Sequence, residues 1–208
     1  MTNMVKVGIT GGIGSGKTTV CKVWEKRGAF VVYSDDLAKR LMVRDRELIH
    51  QICREFGEKA YHPDGSLNRK YLADVAFRQN KVEALNRLVH PVVRKKVLQL
   101  MQKAEREEIP MFVQEAALLL NDGRPDYFDY VVLVTSGKEN RILRVSKRDR
   151  VTKEEVLERI SKQQDFENLA ALCDVIIQND ASLEELEENA SRLFDQLLAS
   201  SDGIRTGE

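Results

Sequence analysis

The chain has 208 residues, of which 33 are Lys or Arg and 33 are Asp or Glu, so its formal net charge is zero. This length is sufficient for one domain with a sizeable core. The even charge balance excludes the overall basic field that attracts proteins to nucleic acid regardless of sequence. Three scattered cysteines without C-x-x-C spacing argue against a disulfide framework and against a zinc site; they are Cys21, Cys53 and Cys173.

The hydropathy pattern contains no apolar stretch near the roughly 18 residues that a membrane span needs. The amino terminus runs into a strand pattern and shows no cleavable signal. We therefore expect a cytoplasmic protein with neither nucleic-acid nor membrane partners, acting as a monomer or a weak homo-oligomer.

The first predicted element is a strand, from about Val5 to Thr10, and a helical pattern follows from about Thr18 to Arg27. The residues between them match the phosphate-binding loop G-x-x-x-x-G-K-[ST] in its required setting of strand, loop and helix. The sequence therefore predicts that the protein binds a nucleotide triphosphate. The loop consists of Gly11, Gly12, Ile13, Gly14, Ser15, Gly16, Lys17 and Thr18.

The residue types of this loop suit phosphate chemistry. Glycines at 11, 14 and 16 allow a tight turn that aims consecutive backbone N–H groups at phosphate oxygens. The positive end of the following helix dipole favours the same anion. Lys17 is suited to bridging the outer phosphates, and the Thr18 hydroxyl to holding a magnesium ion.

A second strand is predicted at Phe30–Tyr33, and two acidic residues follow it. Ligands of open α/β sheets bind outside the carboxyl ends of the strands, so these acids are expected on the same rim as the phosphate loop. Asp35 is the preferred candidate for the general base of transfer to an alcohol, with Asp36 as its rival. Both residues also fit a plain role at the start of the next helix.

From Leu37 to about Arg106 the pattern is almost wholly helical, with breaks at Gly57 and at the turn of residues 61–65. Such a long helical stretch between strands predicts a lobe inserted into the sheet domain. His90-Pro91 interrupts the pattern and is interpreted as a junction between helices, because proline is tolerated in a first helical turn.

Three further strands are predicted at Met111–Gln114, Tyr130–Thr135 and Val175–Gln178. Glu115 ends the first of these and fits either a group near the magnesium ion or a purely structural role. The alternation of strands and helices predicts an α/β fold, with a mostly parallel five-stranded sheet and helices on both of its faces.

Two helices after the fourth strand begin with the spacing of capping boxes, at Thr152 with Glu155 and at Ser182 with Glu185. Ser200 to Glu208 is rich in small and polar residues and is predicted to be a flexible tail.

Several arginines cluster immediately after the fourth strand. Arg141, Arg144 and Arg148 follow a spacing of three and four residues, so they share one face of a helix. Their guanidinium groups could clamp phosphate oxygens in a bidentate manner, although a charged run is more often a solvated surface. A phosphate loop elsewhere in the chain favours the functional interpretation.

Taken together, the sequence resembles the dephospho-coenzyme A kinase family over about residues 5–195. An ordered series of motifs is more selective than a phosphate loop alone. The series comprises residues 9–19, Ser34-Asp35 with Ala38, residues 64–69 with Phe77, residues 88–91, residues 115–119, Arg144 with Arg148, Gln163, and residues 174–179.

The resemblance implies transfer of the terminal phosphoryl group of ATP to the ribose 3′-hydroxyl of dephospho-coenzyme A, with Mg²⁺. It implies a three-layer phosphate-loop NTPase fold forming a single domain over residues 1–199, with residues 200–208 as the tail. The nucleotide core would comprise about 1–36 and 108–199, the helical coenzyme-binding lobe about 37–107, and an arginine-bearing lid about 138–165.

The resemblance also assigns roles to individual residues. Catalytic roles fall to Asp35 as the base, to Lys17 and to the lid residue Arg148. Nucleotide-binding roles fall to Gly12, Ile13, Gly14, Ser15, Gly16, Lys17, Thr18, Thr19 and Arg144, with Asn179 on the adenine side and Thr18 also at the metal. Substrate-binding roles fall to Asp35, His90, Pro91 and Leu119.

The chain departs from the family pattern at several positions. Tyr33 stands where aspartate is common, Arg141 replaces a frequent glutamine, Asn121 replaces a usual glutamate, and no lysine or arginine lies near Asn168 and Leu169. Two alternatives therefore stay open. One is another small phosphate-loop kinase, acting on a nucleoside monophosphate or a small alcohol. The other is a nucleotide-binding regulatory protein with weakened catalysis.

Overall fold

The computed structural model describes residues 4–78, 81–121, 123–163 and 166–203. Within this part of the chain, one sheet has five strands in the order β2-β3-β1-β4-β5. Strand β1 pairs in parallel with β3 and β4, and β4 pairs in parallel with β5. The predicted α/β fold with a mostly parallel five-stranded sheet is confirmed. The strands are β1 Val5–Thr10, β2 Phe30–Tyr33, β3 Met111–Glu115, β4 Tyr130–Thr135 and β5 Val175–Gln178.

The central strands form the core of the sheet because apolar side chains occupy both of their faces. All five residues of β3 are buried, and Val7 and Ile9 of β1 are completely inaccessible. Strands covered on both faces are typical of parallel sheets with helices packed on each side. The carboxyl end of β1 leads directly into the glycine-rich loop, so the loop lies at the carboxyl-terminal end of the central strand.

The helices follow the predicted order along the chain. Helix α1 packs against the last helix, α9, and the buried indole of Trp24 donates a hydrogen bond to the Ala190 carbonyl oxygen at 2.8 Å. The helices are α1 Lys17–Lys26, α2 Ser34–Arg44, α3 Arg46–Phe56, α4 Arg69–Arg78, α5 Val82–Arg106, α6 Lys138–Asp149, α7 Lys153–Ser161, α8 Phe166–Leu169 and α9 Leu183–Gly203.

The chain divides into two compact units. The first contains the described residues of Met1–Val32 and Lys103–Glu208, and the second contains the described residues of Tyr33–Gln102. The second unit is helical and covers almost the same stretch as the predicted lobe at 37–107. No helix in the described residues is both long and apolar enough to cross a membrane.

The predicted helix junction at His90-Pro91 is wrong, because both residues lie inside the continuous helix α5, Val82–Arg106. A proline in a helix interior costs about 3 kcal/mol, since it removes a hydrogen bond and crowds the preceding turn. Val89 and Val93 are buried on either side of the proline, at the four-residue spacing of one helical face. Burial of this face offsets the cost and keeps the helix continuous.

The structure bears differently on the predicted helix caps and on the predicted tail. Thr152 and Glu155 form the predicted capping box at the start of α7. The Ser182 hydroxyl accepts a hydrogen bond from the Glu185 amide at 3.2 Å. Helix α9 continues to Gly203, which is further than the predicted start of the tail at Ser200. The helix can extend into this segment because alanine and serine are tolerated in helices. The remainder of the predicted tail, residues 204–208, lies outside the described residues.

Candidate active site

The glycine-rich loop turns sharply between β1 and α1. Gly11 has a φ of +145° and Gly16, which caps α1, has a φ of +108°. A Cβ atom at Gly11 would overlap the Val134 carbonyl oxygen, and one at Gly16 would overlap the Asn179 side-chain amide. Side chains are therefore excluded at both positions, and no side chain caps the first amides of α1 at Gly16. A helix N-terminus of this kind is suited to binding an anion.

Lys17 is held beneath this loop by backbone oxygens and by a carboxylate. Its Nζ donates to the Gly11 and Gly12 carbonyl oxygens at 2.8 and 3.1 Å. It also lies 3.8 Å from Oε1 of Glu115, the last residue of β3, and both side chains are about nine-tenths buried. The ammonium group is thus positioned among the backbone groups of the loop, and Glu115 balances its charge.

Ser15 supports the assignment of a ligand site at the loop. It is 1% exposed, and its hydroxyl has no hydrogen-bond partner among the described residues. Buried polar atoms are normally satisfied, so an unpaired hydroxyl in a phosphate loop fits a ligand that completes it.

The predicted magnesium residue, Thr18, is exposed in the first turn of α1. Within the described ranges no group of three His, Cys, Asp or Glu side chains forms a metal site. Mg²⁺ commonly takes one or two protein groups and completes its shell with substrate phosphates and water. An exposed Thr18 hydroxyl beside a phosphate loop fits that mode of binding. Thr19, also predicted to bind nucleotide, donates its backbone N–H to the Gly16 oxygen at 2.9 Å.

The three predicted arginines of α6 separate into different roles. Arg144 donates to the Ser136 hydroxyl at 3.1 Å and to the Asn179 backbone and side-chain oxygens at 3.0 and 3.3 Å. Arg148 instead pairs with its neighbour Asp149, whose carboxylate raises the pKa of Arg148. The structure therefore brings Arg144, but not Arg148, together with the predicted adenine-side residue.

Arg141 contacts the phosphate loop directly. Its Nε donates to the Ile13 carbonyl oxygen at 2.9 Å, and its Nη2 donates to Oε1 of Gln163 at 3.0 Å. The same Gln163 oxygen accepts the Ile13 amide at 2.9 Å. Burial lowers the pKa of Arg141 from its usual value. Gln163 entered the sequence analysis only through resemblance, since a lone glutamine after a helix carries no chemical signal.

Asn179 joins the end of β5 to the phosphate loop. Its side-chain amide donates to the Ser15 carbonyl oxygen at 2.7 Å, and its side-chain oxygen accepts from Arg144. It is 6% exposed. The residue predicted to face adenine is therefore also a tether for the backbone of the loop.

Asp180 was missed by the sequence analysis. Its carboxylate accepts hydrogen bonds from the Gly137 amide at 2.7 Å, the Ser136 hydroxyl at 2.9 Å and the Asn140 side chain at 3.1 Å. These donors hold the pKa of Asp180 well below its usual range. Its position close to the carboxyl end of β5, the kind of signal that singled out Asp35 and Glu115, would have identified it.

The remaining predicted residues have other surroundings. Asp35 is exposed in the first turn of α2, and its carboxylate has no hydrogen bond among the described residues. Asp36 pairs with Lys39 at 2.8 Å, and this hydrogen bond lowers the pKa of Asp36. Leu119 is 8% exposed and packs over Gly8 of β1, which places it in the apolar core.

The fold and the loop together define a phosphate-loop kinase class of protein. A family model described as dephospho-CoA kinase matches residues 5–185. A dephospho-CoA kinase of Chlorobium chlorochromatii is 41% identical over 197 residues, which cover 92% of this chain and 93% of that protein. One of Salinibacter ruber is 39% identical and covers 92% and 96%.

Solved structures share the fold of this chain. A crystal structure from Thermus thermophilus has 32% identity and a TM-score of 0.75, covering 94% of this chain and 98% of its own. A dephospho-CoA kinase from Campylobacter jejuni has the same fold, with 24% identity, a TM-score of 0.62, and coverage of 92% and 96%. The chain belongs to the dephospho-CoA kinase family, and the resemblance drawn from its sequence is confirmed.

Proposed function

We propose that this chain transfers the terminal phosphoryl group of ATP to the ribose 3′-hydroxyl of dephospho-coenzyme A, giving coenzyme A and ADP. The observation that carries the proposal is the buried position of Lys17 within a complete phosphate loop, in a chain of this family. A small-molecule phosphoryl acceptor is what such a kinase requires.

The loop and the predicted lid would both contact ATP, the loop through its backbone and Lys17 and the lid through its arginines. Backbone N–H groups of the loop would donate hydrogen bonds to the phosphate oxygens, and Lys17 would exchange its loop carbonyl partners for phosphate oxygens. When bound, Mg²⁺ held by the Thr18 hydroxyl would neutralise phosphate charge. Arg144 is anchored to Asn179, the residue proposed to face adenine, whereas Arg148 would have to leave Asp149 to reach the phosphates.

Asp35 is the proposed base for the acceptor hydroxyl. A base needs a carboxylate that is free to take or orient a proton. The carboxylate of Asp35, which has no hydrogen bond within the described part of the chain, meets this requirement better than Asp36, which is held by Lys39 on its own helix. The assignment of His90, Pro91 and Leu119 to the coenzyme rests on the resemblance to the family.

The setting of the enzyme is part of the same proposal. We expect cytoplasmic localisation and a monomer or weak homo-oligomer. We expect no nucleic-acid partner, because the net charge is zero. Size-exclusion chromatography with light scattering would measure the oligomeric state.

A turnover assay tests the function. Purified protein with ATP, Mg²⁺ and dephospho-coenzyme A should release ADP in step with coenzyme A. Replacing the acceptor with a nucleoside monophosphate or a small alcohol should abolish ADP release above the background of hydrolysis. Faster turnover with either replacement would establish the alternative kinase, and ATP binding without turnover on any acceptor would establish a regulatory protein.

A further inference from the structure

Ile13, at the tip of the phosphate loop, is held by the predicted lid through both its backbone and its side chain. Its amide donates to Oε1 of Gln163 at 2.9 Å, and its carbonyl oxygen accepts from Nε of Arg141 at 2.9 Å. Its side chain packs against the buried cluster of α6 and α7, formed by Ile142, Val145 and Val156. One residue of the loop thus joins the loop to the two helices that carry the arginines.

The partner of the Ile13 amide is chemically informative. Phosphate loops direct consecutive backbone N–H groups toward phosphate oxygens, and Ile13 lies within that run. A side-chain carbonyl oxygen from Gln163 occupies this donor in the same manner as a phosphate oxygen would. Arg141 donates to the same carbonyl at 3.0 Å, which polarises it and strengthens its hold on the amide.

We propose that Gln163 is a positioning residue that occupies the Ile13 amide in the nucleotide-free protein and yields it to a phosphate oxygen of the incoming nucleotide. The proposal rests on ATP as the ligand of the loop. Without nucleotide, Gln163 then holds the loop in a conformation that keeps the Ile13 amide available as a donor. Phosphate binding releases the Gln163 side chain from the loop.

The exchange is favourable because of charge. A hydrogen bond to an ionised phosphate is roughly twice as strong as one to a neutral amide. Gln163 is half-buried, so its side chain can be rehydrated when it leaves. Release of Gln163 also removes one acceptor from Arg141. The Arg141 guanidinium, which already lies against the loop at Gly12, then becomes available to the phosphates.

The exchange has a measurable consequence for affinity. When a ligand must displace an internal contact, its apparent dissociation constant equals the intrinsic constant divided by the fraction of the protein in which that contact is open. Gln163→Ala should therefore bind a non-hydrolysable ATP analogue about threefold to tenfold more tightly than the parent, which corresponds to one neutral hydrogen bond. Gln163→Asn, whose carbonyl is too short to reach Ile13, should change affinity in the same direction.

Gln163→Glu should have the opposite effect. A carboxylate would hold the Ile13 amide and Arg141 more strongly and would repel the phosphates, so affinity for the analogue should fall about tenfold. Gln51→Ala serves as the matched control, because the side-chain amide of Gln51 donates to Glu47 on its own helix at 2.9 Å. Its affinity should equal that of the parent. Isothermal titration calorimetry measures all five proteins without turnover.

Two further readouts separate this role from a purely structural one. Affinity for adenosine, which has no phosphate, should be unchanged in every variant. Hydrogen exchange at the Ile13 amide should be slow in the parent without nucleotide and faster in Gln163→Ala. Unchanged or weaker binding of the analogue by both Gln163→Ala and Gln163→Asn, or an equal gain for adenosine, would overturn the proposal. A parent that turns over normally yet gives that result would leave the proposed function intact.

Discussion

The polar contacts that stabilise the two compact units join residues of very different separation in sequence. In the unit that carries the phosphate loop, the amide of Ile13 meets Gln163, 150 residues away. The carbonyl oxygen of Ser15 meets Asn179, 164 residues away. The backbone of the loop is therefore shaped by segments that are distant in sequence.

The helical unit uses shorter connections. The Tyr61 hydroxyl donates to the Met42 oxygen at 2.6 Å, 19 residues away, and burial raises the pKa of Tyr61 to about 12. The Tyr71 hydroxyl donates to the Phe56 oxygen at 3.0 Å, 15 residues away. Changes in the first unit should thus affect folding and function together, whereas Asp35 in the second should affect function alone.

Lys17→Ala should give the largest effect. It removes the only cation of the loop sequence, which is proposed to bridge the phosphates, so turnover should fall roughly a thousandfold. It also removes the ammonium group that lies 3.8 Å from the buried Glu115 carboxylate, which should cost about 3 to 5 kcal/mol of unfolding free energy. Steady-state kinetics and urea unfolding measure the two losses.

A double variant separates these losses. Adding Glu115→Gln to Lys17→Ala removes the buried charge, so stability should recover while turnover stays low. Lys103→Ala, which removes only an exposed pair with Glu107, is the control and should behave as the parent. Full activity in Lys17→Ala would show that the loop does not carry the reaction.

Asp35→Asn should reduce turnover by on the order of a hundredfold or more, as expected for a lost base. Its unfolding free energy and its affinity for ADP should equal those of the parent, since the carboxylate is exposed. Asp36→Asn breaks only the pair with Lys39 and should retain nearly full activity. If Asp36→Asn were the slower enzyme, the base assignment would move to Asp36.

Helix α6 allows the same comparison of long-range and local contacts within a single element. Arg144→Ala removes hydrogen bonds to Ser136 and Asn179, so KM for ATP should rise about tenfold and stability should fall by about 1 to 3 kcal/mol. Arg148→Ala removes a pair with an adjacent residue, so only kcat should fall, by about tenfold. Equal losses of stability in the two variants would contradict the distinction between long-range and local contacts.

Asp180→Asn should have the smallest effect, and that effect should depend on pH. The pKa of Asp180 is lower in the folded protein than in the unfolded chain, so its stabilising contribution is present above about pH 4 and is lost as the pH falls further. The variant should be less stable than the parent at pH 7, and the difference should shrink at pH 3. Urea midpoints at both values measure it; a constant difference would show that the carboxylate charge is not involved.

The strands illustrate how much of the fold a sequence encodes. The bounds of β1, β2, β4 and β5 coincide with the prediction, because short apolar runs between turn residues specify buried strands locally. The junction at Pro91 was mispredicted, because whether a helix continues through proline depends on what its buried face gains. That gain is a property of tertiary packing.

By itself, the sequence determined the phosphate loop, the α/β class and the family, since these depend on residues that are adjacent or regularly spaced. The tertiary structure alone decided that Gln163 takes the Ile13 amide, that Asp180 binds the start of α6, and that Arg144 and Arg148 have different partners. The strand order β2-β3-β1-β4-β5 brings the ends of β1, β4 and β5 side by side. Spacing along the chain does not encode such contacts, because their energy depends on which segments the sheet makes neighbours.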